Sequence, residues 1–275
     1  MSAILRFPDF KFKAFSLNYD DAAPADERLV NLLVSHGLKG TFNIISSNIG
    51  EGQFLTEEKI KELYLDNGME LAIHGERHCS LAAVDSAVAA RDVMLCRETL
   101  ERISGKVVKG LAYANGSTSP DVKEMLRLLG IEWARNSGSS ESFNIPKDML
   151  DFSATCHHKN KRLMELAKQF AEEPLRPYYW AKTPRLFIVW GHSFEFNKDN
   201  NWQVMEELCE YIHGRDDVWY ATCGEIFDYV RAFNSLRVSA DGTIFHNPSA
   251  HTLYMHDFGK NIVIAPGETV DAKKL

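Results

Sequence analysis

Short apolar segments alternate with amphipathic stretches along most of the chain, and this rhythm predicts strands separated by helices. Because strands that alternate with helices usually form parallel sheets, the pattern predicts a parallel barrel or a doubly wound sheet. Seven segments have the length and composition of buried strands: residues 12–17, 41–45, 70–73, 107–112, 132–134, 186–190 and 218–221.

Three amphipathic stretches predict helices, and each is followed by a glycine that can end it. The third has the clearest start, because Ser119 can cap the helix and Pro120 suits the first helical position. The predicted helices are residues 26–36, 86–104 and 120–129, with Gly37, Gly105 and Gly130 after them.

Two regions depart from the strand–helix rhythm. Residues 136–160 are polar and rich in Ser and Asn, and we interpret them as a long connection of the kind that often has a function. After residue 232 come four short strand-like runs, with a hairpin turn predicted at Asp241-Gly242. We therefore predict an α/β domain over residues 1–234 and a short β-rich extension over residues 235–275, packed on it as an edge or a lid.

The composition is that of an ordinary globular protein and argues against several partners. The 275 residues are 45% hydrophobic and 25% charged. With a net charge of -7 and no basic run, neither nucleic acid nor a membrane is an expected partner. No long apolar segment and no signal peptide are evident, so we expect a cytoplasmic protein. Core and interface residues look alike in one sequence, so an oligomer is neither predicted nor excluded.

The cysteines predict reduced thiols rather than a disulfide framework, because they are odd in number, scattered and without a C-x-x-C motif. Cys79 adjoins His78, and we interpret it as a small buried residue rather than a redox group. The five positions are Cys79, Cys96, Cys156, Cys209 and Cys223.

The strongest local signal is His74-Gly75-Glu76-Arg77-His78, directly after the predicted strand 70–73. Two imidazoles at i and i+4 can converge on one cation if the segment forms a helical turn. The spacing alone is weak evidence, since ten histidines in this length give about 0.4 such pairs by chance. The position at the C-terminal end of a strand, where parallel α/β folds form their sites, favours a metal site.

Two further signals also follow predicted strands. Asp20-Asp21 comes after strand 12–17, and His192 comes after strand 186–190. An isolated Asp pair is commonly a solvated turn and a lone histidine is commonly structural, so the shared position carries the argument. A carboxylate beside two imidazoles completes a three-ligand site that leaves room for water, and a neighbouring unbound carboxylate can accept a proton from that water.

The order of these signals resembles that of the polysaccharide deacetylases with a NodB homology domain, and the chain looks like a divergent member of that family. The family's motifs run T-F-D-D, H-(S/T)-x-x-H, R-x-P-Y, an Asp/Trp-containing segment and L-x-H. Over residues 11–230 the matches are Asn18-Tyr19-Asp20-Asp21, the 74–78 segment, Ala112-Tyr113-Ala114-Asn115-Gly116 at the third motif, and Trp190-Gly191-His192 at the fifth.

The resemblance implies a distorted (β/α) barrel of seven parallel strands with a small C-terminal β appendage. It implies a metal-dependent hydrolase that removes an acyl group, such as acetyl, from a carbohydrate. One divalent metal ion, zinc before cobalt, nickel or manganese, would be held by Asp21, His74 and His78. Asp20 would be the general base, His192 the general acid, and the backbone N–H of Asn115 would help to bind the oxyanion.

The sequence departs from the family's motifs at three positions. Ala112 stands where the family has an Arg that pairs with the base, and Arg135, after strand 132–134, is the candidate replacement. Gly75 replaces the hydroxyl residue of the second motif, which removes a local hydrogen bond. Trp190 replaces a Leu that lines the acetyl pocket, and the larger ring should narrow that pocket.

Four residues are candidate substrate contacts: Tyr113, His157, His158 and Trp190. His157 and His158 lie in the long polar segment where the fourth motif belongs. Because adjacent side chains point in different directions in regular structure, we do not expect both to bind one metal ion. The aromatic run Tyr178-Tyr179-Trp180 is interpreted as part of the core or as a platform for sugar stacking.

Two other functions stay open. One is the hydrolysis of a linear C–N bond in a small amide or ureide. The other, of a different class, is a non-catalytic, metal-containing protein that binds carbohydrate. Asp20 argues against the second, because a purely structural metal site has no need of an unligated carboxylate.

Overall fold

The computed structural model of the protein describes residues 3–172, 183–257 and 259–274. The run Tyr178-Tyr179-Trp180 lies outside the described residues. The strands are β1 Ile4–Arg6, β2 Lys13–Asp20, β3 Gly40–Ile44, β4 Glu70–Ile73, β5 Gly110–Ala112, β6 Trp133–Ser139, β7 Phe152–Ala154, β8 Cys156–His157, β9 Arg185–Gly191, β10 Val218–Tyr220, β11 Arg237–Val238, β12 Ile244–His246, β13 Leu253–Asp257, β14 Lys260–Ile264 and β15 Thr269–Asp271. The helices are α1 Asp26–Ser35, α2 Glu57–Ile60, α3 Ser86–Ser104, α4 Pro120–Leu128, α5 Leu163–Glu172, α6 Phe194–Asp199, α7 Gln203–Ile212 and α8 Cys223–Asn234.

The parallel strands close into a barrel, and β2 is one of its central strands in the order of pairing. β2 pairs with β9 on one side and with β3 on the other, and β4, β5 and β6 follow β3 in order. The gap between β6 and β9 is filled by residues 152–157, since β7 pairs with β6 and β8 pairs with β9. Seven parallel positions result, which confirms the predicted distorted barrel.

One of those seven positions is not the one that the hydrophobic pattern predicted. The predicted strand 218–221 forms β10, which pairs with the first residues of β2 outside the closed ring. The seventh position comes instead from the polar segment that we interpreted as a connection. Its apolar residues Phe152, Ala154 and Cys156 are buried, but three such residues are too few to stand out from their polar neighbours in the sequence.

Strand β2 is buried on both faces, and the two faces have different chemistry. Phe15, Leu17 and Tyr19 pack in the apolar core formed with the surrounding helices. Asn18 and Asp20, on the alternate face, contact Asn43 of the neighbouring β3 and Arg135 of β6 inside the barrel. Alternation along one strand therefore carries a polar pair into the barrel mouth.

The helix predictions hold, with ends that follow the expected capping. α3 spans the predicted residues and ends at Gly105, whose φ of 66° is the left-handed conformation favoured by glycine. Ser119 caps α4 by accepting the Val122 N–H at 3.2 Å. None of the helices among the described residues is long and apolar enough to cross a membrane.

The C-terminal residues form two small antiparallel sheets, as the strand-like runs predicted. β11 and β12 pair across the turn that contains Asp241, and β15 completes their sheet. The second sheet includes a strand from the other end of the chain, because β13 pairs with both β1 and β14. Contacts therefore cross the predicted boundary between the α/β domain and the C-terminal extension at residues 234 and 235. That boundary stays a prediction.

Candidate metal-binding active site

The ends of β2 and β4 bring together the three residues predicted as metal ligands. One ligand atom from each of Asp21, His74 and His78 lies within 4.8 Å of the other two. His74 Nε2 is 3.6 Å from Asp21 Oδ1, and the two imidazole rings are 4.7 Å apart at 73°. The structure thus assembles a group of one carboxylate and two imidazoles from residues distant in the chain.

The histidine pair does not converge through a helical turn, which corrects that expectation. Residues 74–79 form an irregular loop, with Gly75 at φ 87° and His78 at φ 56°. Asp21, at φ 81°, is also in the left-handed region that most side chains avoid. Three positive φ angles within one small group indicate that the surrounding structure holds this backbone in place.

These residues fit a divalent cation. The His74 Nδ1–H donates to the Ala112 carbonyl at 2.8 Å, which leaves the Nε2 lone pair facing Asp21. Asp21 Oδ1 is buried and accepts no hydrogen bond from any residue that the structure describes. Burial and then the nearby His74 lower the pKa of His78, which favours the neutral form that binds metals. The donor set, one carboxylate and two imidazoles, is typical of zinc sites with an open position.

Asp20, next to the ligands, forms a buried ion pair with Arg135. Arg135 Nη2 donates to both carboxylate oxygens of Asp20 at 2.6 Å, and both side chains are almost completely buried. Ala112, where the family carries its Arg, lies opposite Arg135 on the neighbouring strand. The cation thus comes from the adjacent strand, as expected, although Arg135 lies within β6 rather than after its end.

Further contacts hold this ion pair in place. Asn43 donates to Asp20 Oδ1 at 2.7 Å and to Asn18 Oδ1 at 2.7 Å, and Arg135 Nε also donates to Asn18 at 2.7 Å. The guanidinium carbon of Arg135 lies 4.4 Å from the centre of the Trp190 ring. We did not predict Asn18 or Asn43, although Asn18 stands two residues before Asp20 and therefore on the same face of β2.

The Arg135 pair determines the charge state of Asp20. Burial alone would raise the pKa of this carboxyl, but the positive charge of Arg135, followed by His74 and His192, lowers it to about 2. Asp20 Oδ2, which faces His74 and His192 at 3.9 Å each, is therefore ionised at neutral pH.

His192 reaches the same site from the end of β9. Its Nε2 is 3.9 Å from both Asp20 Oδ2 and Asp21 Oδ2. Its Nδ1 is 3.3 Å from Glu195 Oε2, in the first turn of α6. Glu195 was not predicted, although the H-x-x-E spacing after a strand was a signal that could have identified it.

His157 and His158 surround Glu195, and the expectation that adjacent histidines diverge is wrong here. Their Nε2 atoms are 3.2 and 3.3 Å from the same oxygen, Glu195 Oε2, because β8 ends at His157 and His158 continues outside regular structure. Burial, before any charge effect, lowers the pKa of His157 to about 4 and that of His158 to about 3. The Lys159 backbone N–H donates to His157 Nδ1, so the His157 Nε2 carries a proton and the group forms a network around Glu195.

The remaining predicted contacts have different environments. Tyr113 is buried and its hydroxyl donates to the Leu150 carbonyl at 2.6 Å, and the His158 side chain is fully enclosed. Neither side chain is free to meet a substrate in this structure. Trp190 is 8% exposed, with His157 packed edge-on against it. Asn115 is exposed with φ 55°, and its backbone N–H stays a predicted oxyanion donor.

The profile of one protein family, polysaccharide deacetylase, matches residues 8–134. That range contains Asp20, Asp21, His74 and His78, the residues that the structure groups together. This stretch of the chain, somewhat less than half of it, is similar to polysaccharide deacetylases. His192 and Glu195 lie beyond the matched range, so their positions are given by the fold alone.

Solved structures of deacetylases and of an esterase are similar to this chain. A putative polysaccharide deacetylase from Mycobacterium smegmatis is 17% identical, with a TM-score of 0.63 over 85% of this chain and 95% of that one. A family 4 acetyl xylan esterase from Clostridium thermocellum, in complex with a cobalt ion, is 14% identical, with a TM-score of 0.52 over 78% and 90%. The Streptococcus pyogenes deacetylase PplD is 18% identical, with a TM-score of 0.46 over 50% of this chain, which spans 61% of that protein. No curated protein sequence matches the chain.

Proposed function

We propose that this protein is a member of the polysaccharide deacetylase family and hydrolyses an acyl group, acetyl in the first instance, from a carbohydrate. Asp21, His74 and His78 would hold one divalent ion, with zinc as the first choice. The observation that carries the proposal is the ionised Asp20 beside this ligand group, held by Arg135 but facing the site through Oδ2. A bound ion of this kind supplies a water of lowered pKa and polarises the acyl carbonyl. The cobalt ion of the similar acetyl xylan esterase supports the choice of a divalent metal.

Asp20 is suited to the role of general base. Its Oδ1 accepts from Arg135 and Asn43, whereas Oδ2 accepts from Arg135 and faces the site. The carboxylate stays ionised because of Arg135, so it can take a proton from the attacking water in every catalytic cycle. The same hydrogen bonds restrict its rotation, which keeps Oδ2 at the position where the water would lie.

His192 is suited to the role of general acid, with Glu195 as its positioning residue. When Nδ1–H donates to Glu195 Oε2, Nε2 points towards Asp20 and Asp21 and can deliver a proton to the leaving group. Lys159 Nζ, 2.8 Å from Glu195 Oε1, keeps this carboxylate charged and in place. Burial would raise the pKa of Glu195, but the hydrogen bond from Lys159 lowers it overall.

Hydrolysis of a linear C–N bond in a small amide or ureide would use the same groups. The substrate that is turned over distinguishes this reaction from deacetylation. The non-catalytic carbohydrate-binding alternative is less well supported. A protein that only binds a metal and a glycan has no use for an ionised carboxylate kept beside the ligands by a buried Arg.

The test measures released acetate or amine from N-acetylated chito-oligosaccharides, acetylated xylo-oligosaccharides and small amides, with zinc, cobalt or nickel added. We expect turnover of an acetylated oligosaccharide. Asp20→Asn should retain the metal and lower kcat by about 10²- to 10⁴-fold, the usual contribution of a general base. His74→Ala should lose the metal, as measured by elemental analysis.

The matched control is Asp121→Asn, which removes an exposed carboxylate on α4 and should leave turnover unchanged. Retained activity in Asp20→Asn would exclude Asp20 as the base. Turnover of the amides alone would favour the C–N alternative. Metal binding without turnover of any substrate would favour the binding protein.

A further inference from the structure

The metal-binding loop at residues 74–78 lacks the hydroxyl side chain of the second motif, yet it keeps a defined and strained conformation. Gly75 and His78 both have positive φ angles, so the loop needs contacts that stabilise this backbone. The nearest such contacts come from Asp92 on α3, a residue outside every motif in the sequence.

Asp92 holds the loop at two backbone amides. Its Oδ1 accepts the Arg77 N–H at 2.8 Å, and its own backbone carbonyl accepts the Glu76 N–H at 3.1 Å. Asp92 is 4% exposed, so the carboxylate lies inside the protein rather than on the helix surface. Hydrogen bonds that backbone N–H groups donate to a carboxylate are among the stronger ones in proteins.

The same carboxylate explains why residue 75 is a glycine. A Cβ built at Gly75 would lie 2.3 Å from Asp92 Oδ2, well inside van der Waals contact, and 3.3 Å from the His78 backbone nitrogen. The serine or threonine of the family's second motif could not stand beside this carboxylate. Gly75 and Asp92 therefore form a matched pair, in which the loss of one side chain makes room for the other.

We infer that Asp92 is a positioning residue for the metal site. From its place on α3 it holds the loop, in the role of the absent motif-two hydroxyl. The inference rests on the proposed metal site at Asp21, His74 and His78. Asp92 touches neither metal nor substrate: it fixes the backbone between the two histidine ligands, so that both imidazoles keep their mutual orientation. Gly75 is required here because of Asp92 as well as because of its φ angle.

The test compares cobalt affinity and the cobalt visible absorption spectrum in the wild type, in four single variants and in one double variant. Asp92→Ala should weaken binding by about 10- to 100-fold, the usual effect of removing a residue that orients a ligand. Asp92→Asn retains an oxygen acceptor and should restore much of the affinity. Glu98→Ala removes an exposed carboxylate from the same helix and should bind cobalt like the wild type, with the same spectrum.

The fourth variant tests the pairing of Gly75 with Asp92. Gly75→Ala should weaken cobalt binding strongly in the wild-type background. In the double variant with Asp92→Ala, the further loss of cobalt affinity caused by Gly75→Ala should be about tenfold smaller. The close contact with Asp92 Oδ2 is then gone, while the strain from the positive φ angle remains. Equal effects in both backgrounds would overturn the matched pair, and wild-type affinity in Asp92→Ala would overturn the positioning role.

Hydrogen exchange of the Arg77 amide in the metal-free protein separates this inference from the metal site itself. Faster exchange in Asp92→Ala, with the rest of α3 unchanged, supports the loop contact even in a protein that binds no cobalt. A wild type that binds no cobalt would overturn the metal site, whereas unchanged Arg77 exchange in Asp92→Ala would overturn the role of Asp92.

Discussion

Two carboxyl groups at opposite ends of the barrel strands differ in charge state although burial acts on both in the same direction. Asp20 ends β2, and Glu70 begins β4. Burial raises the pKa of each, but Arg135 reverses the effect at Asp20, where the pKa is about 2. Glu70 receives hydrogen bonds from the Thr41 hydroxyl at 2.7 Å and the Gly224 amide at 2.8 Å, and its pKa rises to about 7.

The contrast indicates that hydrogen bonds from neutral donors offset the effect of burial on a carboxyl pKa less than a guanidinium in direct contact does. The two ends of the barrel also differ in what they contain. The end with the ionised Asp20 carries the candidate metal ligands, as parallel barrels usually do at the C-terminal ends of their strands. The other end borders a cavity of about 570 Å³, lined in part by Glu70, Lys109, Trp133 and Trp219.

The largest expected effect comes from removing the cation of the first pair. Arg135→Met should lower the free energy of unfolding by about 3–5 kcal/mol, because Asp20 is left charged and buried without a partner. Urea denaturation measures this loss. Arg91→Met, at an exposed position on α3, is the control and should change stability by less than about 0.5 kcal/mol. A loss below about 1 kcal/mol in Arg135→Met would mean that the charge state of Asp20 does not depend on Arg135.

The second prediction concerns Glu70 and has a definite pH dependence. Its folded-state pKa of about 7 exceeds the ordinary value of 4.5, so between these two pH values the folded protein binds more protons than the unfolded chain. The wild type therefore loses stability as pH rises from about 4.5 to about 7, and Glu70→Gln does not. The difference between the two proteins should grow in favour of the variant by up to about 3 kcal/mol over this range.

Urea denaturation at a series of pH values measures this growing difference. Glu58→Gln, at an exposed position on α2, serves as the control and should run parallel to the wild type at all pH values. A constant difference between Glu70→Gln and the wild type would show that Glu70 has an ordinary pKa, and the contrast with Asp20 would fail.

The smallest effect is expected at a partly exposed cation near Glu70. Lys109 Nζ pairs with Asp228 at 2.9 Å and with Glu132 at 3.0 Å, and its side chain is 32% exposed. Because water screens this network, Lys109→Met should cost about 1 kcal/mol or less, and less still at high salt. A loss as large as that of Arg135→Met would show that burial of the cation is not what distinguishes the two ends.

Much of the candidate site was predictable because its residues follow predicted strands. Asp21, His74 and His192 come within two residues of a strand end, and parallel strands bring such positions to one edge of the fold. Arg135 was predictable for the same reason, since a neighbouring strand end was the nearest source of a cation. The contacts of Asp92 and Asn43 were not predictable, because neither residue belongs to a motif and each acts through a backbone or side chain distant in sequence.

The fold was predictable wherever the hydrophobic period was long enough to be recognised. α3 has the predicted bounds, and β4 does as well. The pair β7 and β8 escaped recognition, because five residues with only three apolar side chains among them give no period against a polar background. That segment closes the barrel and carries His157 and His158 to Glu195.

The sequence by itself determined which residues could supply the chemistry: two carboxylates, a pair of histidines and a third histidine, each placed after a strand. A short stretch of sequence reveals this, because a strand and the residues that follow it can be recognised from adjacent positions. Only the tertiary structure decided that Asn43 contacts Asp20, that Glu195 lies beside His192, and that Asp92 holds the loop of Gly75. Those outcomes depend on distances between residues far apart in the chain, and no local pattern encodes them.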